Sequence, residues 1–209
     1  MKLYHGTNFS SAMNIVNNGI DLKCSQPYLD FGAGFYTTPS YEHAVLTAIR
    51  TTKKYNGRYK KEELPYVVEV DFRPFKEIEL SKILYPRHSE KWGRFVLNNR
   101  LTSDTLKKHN ITEHNQDGRY DVCCGEIADG SVVNIAYQVN SGMIAPDEVD
   151  YRDFLKDNGK VYPQQYSFHT PKAISCINVM SCGTIKNISK YYKAMKGGEQ
   201  YDKCRNKRI

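Results

Sequence analysis

Short helical and strand patterns follow one another along the 209-residue chain without a regular βαβ rhythm. No Gly-x-Gly-x-x-Gly opens a helix after a strand, so a dinucleotide fold of the doubly wound kind is not expected. The class that fits is α+β. Hydrophobic residues at 40% and charged residues at 25% are ordinary globular values, and the length suits one domain with a tail. We place a domain over residues 1–182 and a basic tail over 183–209, where Lys186, Lys190, Lys193, Lys196, Lys203, Arg205, Lys207 and Arg208 face only Glu199 and Asp202. From Gly183 onward the apolar period fades.

Local signals fix most expected elements. Lys2–His5 reads as a strand. Ser10 or Ser11 can cap a helix over Ala12–Asn18, closed by Gly19. Ser40 caps a second helix, with Glu42 in its first turn and an apolar stripe of Ala44, Val45, Ala48 and Ile49. Lys53–Glu63 reads as a polar, basic loop; its lysines, Arg58, Tyr55 and Tyr59 also suit single-stranded nucleic acid. Tyr66–Phe72 and Ile78–Leu84 read as strands, and Ser89 opens a helix with Trp92, Phe95 and Val96. Residues 103–119 look irregular. Tyr120–Gly125 reads as a strand and Ser131–Asn140 as a helix. Pro146 begins another helix ending near Gly159; Gln165–His169 and Ala173–Val179 are the last expected strands.

The six cysteines form no C-x-x-C pair, so no metal is expected, and reduced thiols fit a cytoplasmic protein. The N-terminus lacks the apolar stretch of a signal peptide, and no apolar run reaches the roughly 18–20 residues of a membrane helix. The formal charge of +7 permits an anionic partner without demanding one.

Three segments could carry chemistry: Tyr4-His5-Gly6-Thr7, Phe31-Gly32-Ala33-Gly34-Phe35-Tyr36-Thr37-Thr38 and Gln164-Gln165-Tyr166-Ser167-Phe168-His169. Backbone N–H and C=O at a glycine can be approached closely and could clasp a carboxamide, which needs one donor and one acceptor. His5 could bond a ribose hydroxyl. A tyrosine on a neighbouring strand, Tyr36, could stack on a flat heterocycle, with Gly32 and Gly34 clearing the approach. Taken singly, each segment is an ordinary turn or strand. Their order, with the flanking helices, carries the weight.

In that order the chain resembles the His-Tyr-Glu clade of ADP-ribosyltransferases, which includes poly(ADP-ribose) polymerases and diphtheria-type toxins. It is similar above all to uncharacterised bacterial ADP-ribosyltransferase-like toxin domains of toxin–antitoxin pairs. The likeness runs over roughly residues 3–180 through Tyr4–Thr7, Phe31–Thr37, Asp121–Asp129 and Gln165–Ala173.

The resemblance implies two packed, twisted sheets around a cleft for NAD, and transfer of a single ADP-ribose to a macromolecule with release of nicotinamide. Protein is the expected acceptor before nucleic acid, with a cognate antitoxin as a further partner. By resemblance His5 contacts the adenosine-side ribose, Gly6 clasps nicotinamide, Thr7 lies near its amide and Tyr36 stacks on its ring, with Gly34 beside the ligand. A second stacking tyrosine, common in relatives, has no counterpart in Ala44–Thr47.

The family's glutamate falls on Gln165, a departure. Its expected task is to hold the nicotinamide-ribose 2′-hydroxyl as positive charge develops, a problem akin to glycoside cleavage. Losing such a charge typically costs about 10²–10³ in rate. Glu126 or Asp129 could supply a carboxylate instead, or serve only to cap the next helix; His43 reads as a surface residue, and His88 and His169 as structural. The alternatives are an NAD glycohydrolase and a non-catalytic NAD-binding module. An RNA 2′-phosphotransferase is weaker, for want of arginines around the motifs.

Overall fold

The computed structural model describes residues 1–74, 77–128, 130–153 and 162–192. Its strands are β1 (Lys2–Asn8), β2 (Phe35–Thr37), β3 (Pro65–Phe72), β4 (Lys82–Tyr85), β5 (Val122–Glu126), β6 (Gln164–Phe168) and β7 (Ile177–Thr184). Its helices include α1 (Phe9–Asn18), α2 (Tyr41–Tyr59), α3 (Glu90–Arg100), α4 (Ser103–Lys108), α5 (Gly130–Asn140) and α6 (Pro171–Ile174). The class is α+β, with two sheets in the orders β1-β3-β7 and β2-β6-β5-β4. The chain divides into two compact units. One holds Met1, Ile20–Pro39 and Phe72–Asn178; the other holds Lys2–Gly19, Ser40–Asp71 and the chain from Val179.

In the second unit β1 runs antiparallel to β3, from Lys2↔Asp71 to Asn8↔Pro65. Alternation puts Leu3, His5 and Thr7 on the face of Val70, Val68 and Tyr66, and Tyr4 and Gly6 on the face of Glu69 and Val67. Helix α2 covers the latter. Ala44, Val45, Ala48 and Ile49 form a core there with Val67 and Ile185, and Tyr4, Ile188 and Tyr191 pack against it. Apolar packing therefore continues beyond Gly183: β7 runs to Thr184, and Ile185, Ile188 and Tyr191 join the core on α2. The lysines and arginines from 193 onward lie outside the described residues.

Two local expectations change in this unit. Asn8, not Ser10 or Ser11, caps α1: its Oδ1 accepts from Ser11 N at 3.0 Å. Ser10 instead turns its N–H and hydroxyl to Glu63. The supposed basic loop from Lys53 is helix as far as Tyr59. Arg50, Lys53, Lys54, Gly57 and Arg58 recur at helical spacing on the exposed side, opposite buried Thr52, and the Tyr55 and Tyr59 rings meet at 4.8 Å. The Ser40 cap is as expected, its side chain accepting from His43 N at 3.1 Å.

In the first unit β4 and β5 are parallel, while β5–β6 and β6–β2 are antiparallel. The register aligns Ile83, Cys123, Ser167 and Tyr36 in one row and Tyr85, Gly125 and Gln165 in the next, on the same face. That face packs on α3 and α5 through Phe31, Trp92, Phe95, Val96 and Val132. On the other face Phe168 meets Phe72 edge to face at 4.9 Å. A second core joins Leu97, Leu101, Leu106, Ala136, Val139, Val149 and Tyr151.

The expected irregular stretch 103–119 contains α4, capped by Thr102. Buried amides tie its remainder to α3: Asn98 Nδ2 donates to Glu113 O, and Asn115 N donates to Asn99 Oδ1. The chain after Pro146 makes only single 3-10 turns as far as Asp153, and the expected helix end near Gly159 lies outside the described residues. Thr170 caps α6, so the last strand begins at Ile177 rather than Ala173.

Candidate functional site

The predicted site residues lie in two groups, one in each unit. In the second unit, His5, Gly6 and Thr7 are consecutive on β1, which is the edge strand of its sheet. The phase of the ladder follows from bonds at its ends. Phe9 N donates to Leu64 O, and Met1 and Phe72 exchange both backbone bonds. Antiparallel pairs alternate between bonded and non-bonded, so Thr7, His5 and Leu3 face β3 with their backbone groups, and Gly6 does not. The N–H and C=O of buried Gly6 therefore point away from β3, to the outer edge of β1, one donor beside one acceptor.

Packing gives glycine at position 6 a reason of its own. A Cβ there would lie 2.0 Å from Ala44 O and 2.7 Å from Ala48 N. The missing side chain is the space into which α2 packs. Thr7 is buried and His5 half-buried on the opposite face.

In the first unit, Tyr36 sits in the middle of β2, opposite Ser167. Its hydroxyl donates to Gly32 O at 2.7 Å and accepts from Phe31 N at 2.9 Å. Burial holds the phenol well above its ordinary value of 10, and the Asp30 charge adds to this, so the hydroxyl stays protonated. The residue as a whole keeps partial exposure. His169 meets its ring edge-on at 6.3 Å.

His169 is fixed in turn. Its Nδ1 lies 2.8 Å from Ala33 O, which can only accept, so Nδ1 carries the proton. Nε2 then accepts from Ser167 Oγ at 2.8 Å. Burial keeps the imidazole below its ordinary value of 6.5, partly offset by the Ala33 bond, and so neutral. Gly34 allows this approach, because a Cβ would stand 2.7 Å from His169 Nδ1. Ser25 Oγ takes both Gly34 backbone groups, accepting from the N–H at 2.7 Å and donating to the C=O at 2.9 Å.

Gln165, two residues before Ser167, lies on the same face of β6 as the row containing Tyr36. Its Nε2 donates to Asp30 Oδ2 at 2.7 Å. Asp30 also accepts from Ala128 N at 3.1 Å and from Arg100 Nε at 2.9 Å. The structure thus joins Tyr36 and Gln165 to one turn, Asp30-Phe31-Gly32.

Glu126 is not part of that cluster. It pairs with Gln164, so it projects from the other face of β5. Its Oε2 accepts from His88 N at 2.8 Å and lies 3.5 Å from His88 Nε2. The His88 ring stacks on Trp92 at 3.8 Å and leans on Tyr162 at 4.5 Å. Asp129, the other carboxylate considered, lies outside the described residues.

Sequence reasoning missed Asp30, Arg100, Ser25 and the linking role of His169. Asp30 adjoins the Phe-Gly-x-Gly segment, but nothing in local spacing ties it to residues 70 and 135 positions away.

A family model described as "Protein of unknown function (DUF3990)" matches residues 1–179. The chain belongs to that family. The DUF3990 match spans both groups of residues, from β1 to the start of β7. No curated protein and no solved structure matches the chain. Among the described residues, no group of three or more His, Cys, Asp or Glu could hold a metal ion, and no helix is long and apolar enough to cross a membrane.

Proposed function

We propose that this DUF3990 chain is a mono-ADP-ribosyltransferase of the His-Tyr-Glu kind, with NAD as donor and a macromolecule, protein before nucleic acid, as acceptor. The observation that carries this reading is the register of β1, which leaves the donor and acceptor of Gly6 on a strand edge. A carboxamide needs that pair of groups. The motif order from Tyr4 to Ala173 and the pinned Tyr36 support the same reading.

In this account the nicotinamide–ribose C–N bond breaks and nicotinamide leaves with the bonding electrons. The acceptor's nucleophile forms the new bond to the ribose carbon and gives up its proton to solvent. The resemblance assigns the carboxamide to Gly6 with Thr7 beside it and the adenosine-side ribose to His5, all in one unit, and the stacking ring to Tyr36 in the other. Gln165 offers an acceptor to the nicotinamide-side ribose. A toxin role with a cognate antitoxin, in the cytoplasm, belongs to the same proposal.

One observation favours a second reading. No charge sits on residue 165 itself, and its amide nitrogen is bound to Asp30. That suits a module that holds NAD without turning it over. Incubation of adenine-labelled NAD with the protein and a cell lysate separates the readings. Label on macromolecules, lost in His5→Ala and Tyr36→Ala, is the expected result. NAD binding without label would favour the module, nicotinamide release without label would favour hydrolysis, and equal labelling by all three proteins would remove these residues from the site.

A further inference from the structure

The Gln165 amide has a fixed direction. Asp30 can only accept, so the atom facing it must be the Gln165 nitrogen, at 2.7 Å from Oδ2; turned over, two oxygens would meet. Both residues are buried, Gln165 at 8% exposure and Asp30 at 5%. Asp30 cannot swing away to relieve the contact. Its Oδ1 takes Nε and Nη2 of Arg100, at 2.9 and 2.5 Å, and its Oδ2 also takes the Ala128 N–H. Asp30 begins the same turn that receives the Tyr36 hydroxyl at Gly32 O and Phe31 N. One short segment therefore anchors the Tyr36 hydroxyl and sets the direction of the Gln165 amide.

We infer that Asp30 is the positioning residue for Gln165, holding its amide so that Oε1 is the atom offered to a ligand hydroxyl. Arg100 balances most of the Asp30 charge, so what Asp30 supplies is orientation. A group presented as acceptor alone selects a hydroxyl donor, and in the NAD account that donor is the nicotinamide-side ribose. The inference rests on that account for its ligand. It explains how glutamine can stand where a carboxylate is expected: the acceptor geometry is kept by an anion one hydrogen bond behind.

The test is an exchange of the two side chains in the full chain, read by steady-state nicotinamide release and by thermal unfolding at pH 5 and pH 8. Asp30→Asn leaves the Gln165 amide without a fixed direction; kcat should fall about tenfold or more while KM for NAD changes little. Because a lower folded fraction alone would also cut apparent kcat at constant KM, kcat is counted per folded chain, with the folded fraction taken from the unfolding curves; a purely structural loss then leaves kcat per folded chain at the wild-type value. Gln165→Glu sets a second carboxylate against Asp30, and two carboxylates in contact resist ionising together. Its melting temperature should fall below wild type, and further at pH 8 than at pH 5. Asp30→Asn with Gln165→Glu restores a donor facing an acceptor and should recover at least half of the pH 8 loss, the remainder reflecting the acceptor withdrawn from Ala128 N–H. Wild-type kcat in well-folded Asp30→Asn overturns the inference, as does a Gln165→Glu chain equally stable at both pH values. A wild-type chain that releases no nicotinamide overturns the NAD account, and with it the ligand named here. Release by wild type together with an unaltered Asp30→Asn overturns the Asp30 role alone.

Discussion

The Tyr36 hydroxyl donates to the carbonyl of Gly32, four residues earlier, while accepting the N–H of Phe31. The ring on β2 thus braces the turn that leads into its own strand. Tyr36→Phe should leave two backbone groups of that turn without a partner, at a cost of about 2 kcal/mol in urea unfolding. The ring remains, so NAD affinity should change by less than about tenfold. Tyr36→Ala should lose affinity far more. Equal affinities for the two variants would remove stacking from the account.

Gly6 has no room for a methyl group. A Cβ would meet the backbone of α2 at Ala44 and Ala48, which cannot step aside as a side chain could. Gly6→Ala should therefore destabilise by at least the ~1–3 kcal/mol typical of overpacking, measured by chemical unfolding. A fully stable Gly6→Ala chain would mean that α2 lies further from β1 than described.

The neutral, buried His169 makes stability depend on pH. Its folded pKa lies below the ordinary 6.5 because burial disfavours the imidazolium, so the unfolded chain binds the proton more readily. Stability is fully present above about pH 6.5 and falls as pH drops toward the folded value. His43 adds a contribution of the same sign, from burial first and the Arg50 charge second. His169→Asn can still donate to Ala33 O but cannot titrate. Its melting temperature should change less between pH 7 and pH 5 than that of wild type, and an unchanged slope would contradict the assignment.

Glu126 should prove a structural carboxylate. It accepts the His88 N–H just before the Ser89 cap of α3. Glu126→Ala should lower stability by about 1–3 kcal/mol and leave kcat for nicotinamide release within about twofold. A stable Glu126→Ala chain that has lost turnover would return Glu126 to the catalytic position.

Where a signal was local, the sequence was a good guide. Ser40 and Ser89 cap helices because a hydroxyl answers a free N–H three residues on, and the alternation of Val68 and Val70 marks one buried face. Signals failed where tertiary contact decided. Residues 53–59 carry little apolar period because only Thr52 turns inward near them, yet they continue α2. Glu63 draws Ser10 away from capping α1, a contact spanning 53 residues. The site divides in the same way. Gly6 and Tyr36 stood out from their flanking residues, although the helix packed behind Gly6 did not. Asp30 was not, because its partners Arg100 and Gln165 arrive only through α3 and β6.

The most direct measurement is nicotinamide released from NAD by the purified chain, followed by chromatography for wild type and for Tyr36→Ala matched in folded fraction. The account predicts release by wild type and a fall of about a hundredfold or more in kcat/KM for the variant, equivalent to ~3 kcal/mol of lost transition-state binding. Release at the same rate by both proteins, or by neither, would contradict it.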